Sequence, residues 1–150
     1  MSSRRAVYLP VIRNDMYPLF STFDYPDSSV PIDARPRTVV SQQALFMLNS
    51  DLVGSQAERL ASRLLDDPDL EDDADRVRMA HEICYSRKPT PEESARALDF
   101  LSRMEGEIGS TESLSWPPAM EGGALLEPRE HAWRTYCQVL MASNEFIYVH

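Results

Sequence analysis

From Thr38 to Leu65 the chain reads TVVSQQALFMLNSDLVGSQAERLASRLL, and its apolar positions keep a helical step. Leu45, Leu48, Leu52, Val53, Ala57, Leu60, Ala61, Leu64 and Leu65 fall three or four apart almost throughout. That spacing winds into a stripe along a helix and gives other segments a surface to pack on. Asn49-Ser50-Asp51 interrupts the run and predicts two helices in line. Ser41 suits the first N-cap; Ser50 suits the second, with Asp51 in the first turn that the helix dipole favours for an acid. Gly54, costing up to about 1 kcal/mol against alanine in a helix, predicts a close helix contact.

Three more helical patterns follow. One runs from about Asp73 to Ser86, with Val77, Ala80, Ile83, Cys84 and Tyr85 inward. The next starts at Thr90-Pro91-Glu92-Glu93, the strongest local signal in the chain. It has an N-cap, a proline at the first helical position and a glutamate three residues after the cap. This helix runs to about Glu107 and is expected to bury Ala95, Leu98, Leu101 and Met104. The last spans Pro128 to Ser143, with Ala132, Trp133, Tyr136, Cys137, Leu140 and Met141 on one side. Residues 6–12, AVYLPVI, read as a short extended segment that Pro10 restricts to an edge. Residues 13–37 are rich in turn formers and aromatics, which predicts a long ordered loop. Residues 109–127, with Trp116-Pro117-Pro118, form a second loop. Phe146 to Val149 is β-prone and suited to pair with residues 6–12. The expectation is a single all-α domain over residues 1–150. It has about five helices in a compact bundle, a long N-terminal loop and a short two-stranded pairing of the chain ends.

Composition narrows what such a bundle does. At 150 residues, with 43% hydrophobic and 26% charged residues, the chain is ordinary for one globular domain. A net charge of −9 argues against nucleic acid, whose phosphates are held by clustered lysine and arginine. No apolar run approaches the roughly 18 residues of a membrane span. The opening MSSRRAVYLPVIRND lacks the apolar core of a secretory signal. That leaves a cytoplasmic protein or a piece of something larger.

Candidate chemistry is sparse. Residues 66–75, DDPDLEDDAD, hold seven acids in ten positions. Counted from Asp67 as a calcium loop, the sixth and twelfth places hold Asp72 and Arg78 where glycine and glutamate belong. A solvated connection with its last acids at a helix N-terminus is the expected reading. His81, His131 and His150 lie far apart, and His81-Glu82 lacks the second histidine of a zinc helix; His81 is expected on a helix face with no special role. No haem-attachment, nucleophile-elbow or phosphate-loop pattern is present, so no catalytic residue, cofactor or metal ligand is assigned. Cys84 and Cys137 lie on apolar helix faces as two buried thiols, or as a disulfide in an oxidising compartment. The unexplained polar residues are Gln43 and Asn49, which are expected to bind the backbone of the aromatic loop, with ligand binding as the alternative. Arg35 and Arg37 would pair with nearby acids or hold an anion.

At ARPRTVVSQQALFMLNSDLV the chain resembles a planctomycete-specific domain of unknown function. Arg35, Arg37, Thr38, Gln43, Ala44, Leu45, Leu48 and Asn49 carry the likeness. RRAVYLPVIRN, FDYPD, RKPTPEE and AWRTYCQVLMASNEFIYV extend it over nearly the whole chain. Val39-Val40-Ser41 departs from the Thr-Pro of relatives, although Ser41 still serves as a cap. The resemblance implies the C-terminal part of a large multidomain, extracytoplasmic or periplasmic protein, with c-type haem in an upstream cytochrome module. Met1 would then mark a shortened piece. Two functions are expected on this basis. One is a non-catalytic module that docks on neighbouring domains of the same polypeptide. The alternative is a carbohydrate-binding or carbohydrate-degrading domain, which requires a concave pocket where acids, or Trp116 with tyrosines, converge on polysaccharide.

Overall fold

The computed structural model describes residues 22–23, 41–110 and 127–148. The described residues form helices α1 (Ser41–Leu48), α2 (Asp51–Asp66), α3 (Asp73–Tyr85), α4 (Pro91–Ser110), α5 (Pro128–Met141) and α6 (Asn144–Ile147). No strand occurs among them. The five helices expected from periodicity are all present. The chain divides into two compact units, Met1–Phe46 and Met47–His150.

In the first unit Gln43 is 4% exposed, and its side-chain amide donates to the Thr22 carbonyl at 3.0 Å. Phe23 and Phe46 meet edge to face, with ring centroids 6.1 Å apart.

The second unit is a helical bundle in which α5 packs on both α2 and α4, with α3 alongside. Its core is built from Ala57, Leu60, Ala61 and Leu64 of α2, Val77 and Ala80 of α3, Ala97 and Leu101 of α4, and Ala132, Trp133, Tyr136, Cys137 and Leu140 of α5. Trp133, Leu64, Val77 and Cys137 are its largest fully enclosed side chains. Burying such groups removes apolar surface from water at about 25 cal/mol per Å², which outweighs the modest propensities of these helices.

Helix boundaries follow the local chemistry. At α4, Glu93 N–H donates to Thr90 Oγ1 at 3.2 Å, and Thr90 N–H donates back to the Glu93 carboxylate at 2.7 Å. That reciprocal pair satisfies two amides that helix geometry leaves unpaired. Glu127 and Glu130 make a second such box at α5, which opens with Pro128. Asp72 caps α3 by accepting from Asp75 N–H at 2.8 Å. Ser50 is the N-cap residue of α2, although its hydroxyl makes no capping bond.

The acidic connection is less solvated than its composition suggests. Leu70 is buried in the core among seven acids. Arg76 reaches back from α3, donating to the carbonyls of Leu64 at 3.1 Å and Leu70 at 2.9 Å and pairing with Asp73 at 3.0 Å.

Several expectations need correcting. Leu45, Leu48 and Leu52 are exposed rather than inward. The buried face of α2 centres on Val53, Ala57, Leu60, Ala61 and Leu64, and Leu52 falls off its edge. Ile83 is exposed and His81 buried, because the two lie about 200° apart around a helix and the His81 side faces α5. Ala95 is exposed while Ala97 takes the inward place on α4. Phe146 and Ile147, expected in a strand, belong to α6 instead. Ser143 Oγ accepts from Phe146 N–H at 3.2 Å and starts a helical turn there. Residues 6–12, their expected partner, lie outside the described residues.

Candidate functional site

Of the residues singled out by sequence, Gln43 is buried on Thr22, and Asn49 is exposed at the α1–α2 break. Arg35, Arg37 and Trp116 lie outside the described residues. The structure therefore brings no pair of them together among the described residues.

Two other features stand out in the second unit. The first is a set of exposed aliphatic side chains, one at the end of α1, one on α2 and one on α5. Leu48 is 43% exposed, Leu52 52% and Val139 49%. Leu48 and Leu52 are four residues apart across the helix break. The side-chain amide of Gln138, next to Val139, donates to the Leu48 carbonyl at 2.6 Å. One hydrogen bond thus holds the last carbonyl of α1 beside α5. Gly54 lies on α2. A Cβ there would meet only the Arg134 guanidinium at 3.8 Å, an ordinary contact. The close approach expected at Gly54 is therefore to a side chain of α5, not to its backbone.

The second feature is a polar network between α3, α4, α5 and α6. His81 is 4% exposed; its Nε2 lies 3.1 Å from the Tyr136 hydroxyl, and its Nδ1 is buried without a hydrogen-bond partner. The Tyr85 ring packs edge-on against His81 at 5.1 Å. Tyr85 donates its hydroxyl to Ser143 Oγ at 3.0 Å, close to the Leu140 carbonyl at 3.2 Å. Arg87 sits over the Tyr85 ring at 5.6 Å and forks onto two carboxylates, Glu93 at 2.8 Å and Glu145 at 2.6 Å. Burial pushes the His81 imidazolium below its usual range, since a charge there loses its hydration. The Arg87 bond holds the Glu93 carboxyl down at about 2, aided by the Thr90 amide. It also lowers Glu145.

The sequence signals for this network were weak. His81 and Tyr85 share one face of α3 at four residues' spacing, and Arg87 stands six residues before Glu93. Neither spacing matches a recognised site pattern. Cys84 and Cys137 are free thiols, and burial pushes both up, Cys84 to about 11, so neither is poised as a nucleophile.

The remaining charged groups suggest little chemistry. An open groove along α2 is lined by Ser55, Glu58, Arg59, Ser62, Arg63 and Asp66, all from one helix face. Asp73 pairs with Arg76 and Arg129, Asp75 with Arg78, and Glu92 with Arg96. Among the described residues no three histidine, cysteine or acidic side chains cluster as a metal site. None of the described helices is long and apolar enough to cross a membrane. The sequence model of PSD1, a protein family of unknown function (DUF1553), matches residues 1–101. No curated protein and no solved structure matches the chain.

Proposed function

The chain belongs to the PSD1 family of proteins of unknown function, and we propose that it is a non-catalytic module that docks on neighbouring domains of its own polypeptide. The observation that carries this reading is the exposure of Leu48, Leu52 and Val139, three large aliphatic side chains each about half exposed, with Leu48 and the Val139 segment linked by the Gln138 hydrogen bond. Single exposed leucines are normal on a protein surface; grouped ones favour an interface. Next to Val139, the Gln138 side-chain amide holds the Leu48 carbonyl at 2.6 Å. Apolar side chains on preformed helices suit a permanent partner, because little further ordering is needed when it arrives.

The likeness to planctomycete multidomain proteins supports placing that polypeptide outside the cytoplasm, with this module at its C-terminal side. A carbohydrate-binding domain would instead place aromatic faces or paired acids in a concave site. The groove along α2 offers alternating charges and no ring.

The test is a pair of substitutions, Leu52→Lys and Val139→Lys, made in the full-length gene product. Both positions are exposed, so the bundle should keep its thermal midpoint. Protease sensitivity at the junction with the neighbouring domain should rise at least tenfold. Unchanged junction cleavage would refute docking through these side chains.

A further inference from the structure

The His81 network does nothing for docking, and it is built in a way that a structural histidine does not require. A neutral imidazole has one N–H and one lone pair. With Nε2 on the Tyr136 hydroxyl, Nδ1 is left buried and unpartnered in either tautomer. Adding a proton makes both nitrogens donors and leaves a charged N–H with no acceptor in a site that is 4% exposed. An unpaired buried charge is the least tolerable group a core can hold. The proton therefore enters only if the ring moves.

The neighbours decide where that movement goes. Tyr85 packs edge-on against the ring and donates to Ser143 Oγ. The same Oγ caps α6 by accepting from Phe146 N–H. On the outer side Arg87 covers Tyr85 and holds Glu145 of α6 and Glu93 of α4. The titratable and charged groups facing His81 are then Tyr85 on its own helix, Arg87 after it, Glu93 from α4, Tyr136 from α5 and Glu145 from α6, with Cys84 and Cys137 near Tyr136. Glu93 and Glu145 attract an imidazolium, while Arg87 repels it. A protonated ring is drawn outward toward carboxylates that Arg87 already occupies. Competition for them loosens the hold on α6.

We propose that His81 is an acid-sensitive latch, which holds α6 against the α3–α5 seam while the ring is neutral and releases it on protonation. The sign follows from burial. The folded state disfavours the imidazolium, so the stabilisation is complete above about pH 6.5, the ordinary histidine value, and is lost as pH falls below it. The device is local: Tyr136 joins it to the core, while the buried residues of α2 lie outside the network.

Amide hydrogen exchange of residues 143–148 tests it, measured from pH 7.5 to 5 and corrected for the intrinsic pH dependence of exchange. Protection of these amides should fall about tenfold across that range, while protection in α2 stays constant. His81→Gln, which keeps a donor for Tyr136 and cannot ionise, should abolish the fall. Ring titration in the unsubstituted chain gives an independent reading, with His81 titrating below the ordinary histidine value. An equal loss of protection in H81Q, or a His81 ring that titrates at or above 6.5, would overturn the proposal.

Discussion

Ser86 ends α3 with φ at 57°, in the left-handed region, and its N–H donates to the Glu82 carbonyl at 3.0 Å. A side chain in that conformation costs about 1 kcal/mol, which glycine avoids. Ser86→Gly should therefore raise the unfolding free energy by roughly 0.5–1 kcal/mol. Gly54 is the reverse case, a glycine in mid-helix with room for a methyl group. Gly54→Ala should stabilise by about 0.5–1 kcal/mol in chemical denaturation; a destabilised variant would mean that Arg134 cannot give way. Glu93 offers a test at acid pH. Its carboxyl is held at about 2, well below the ordinary value near 4.3, so its contribution is complete above pH ~4.3. That contribution is lost as pH falls from there toward 2. The group is largely solvated, so the effect is small and salt should weaken it. Glu93→Gln should flatten this acid limb of the thermal midpoint curve, and an unchanged limb would assign the acid loss to other groups.

At the scale of elements, the start of α4 was legible from four residues. Thr90-Pro91-Glu92-Glu93 specifies a capping box by local chemistry alone, and the structure contains it. Periodicity likewise located α2 and α5, because their buried positions step by three and four. It failed where an element offers two plausible faces. Isolated spacing cannot decide between His81 and Ile83, or between Ala95 and Ala97; packing against α5 decides. It also misread the end of the chain, since β-propensity at Phe146 and Ile147 yields to a single serine cap at Ser143. Arg76 is a further case. Nothing in DDADRVR marks it as the residue that closes α2, yet its guanidinium binds carbonyls from residues 64 and 70. Arg76→Met should cost roughly 2 kcal/mol, as two charge-assisted hydrogen bonds to partly buried carbonyls are lost. Lysine should fail to restore it, because a single ammonium cannot reproduce the fork. Full rescue by Arg76→Lys in urea unfolding would contradict this geometry.

At the scale of the molecule, the all-helical architecture of the described residues was readable from pattern, and membership of a family of unknown function from residues 34–53. Function was not, for a physical reason. The proposed docking surface consists of aliphatic residues at helical spacing, so in sequence Leu48 and Leu52 look the same as core leucines. Only the fold separates them, by placing Leu60 and Leu64 inside and Leu52 beyond the edge of the buried face. Hydroxyl-radical footprinting of the full-length gene product against the chain alone tests the proposed role most directly. Leu48, Leu52 and Val139 should be labelled freely in the chain alone and protected at least fivefold in the full-length protein. Ile83, equally open on α3, should label alike in both. Equal labelling of Leu48, Leu52 and Val139 in the two forms would contradict the docking account.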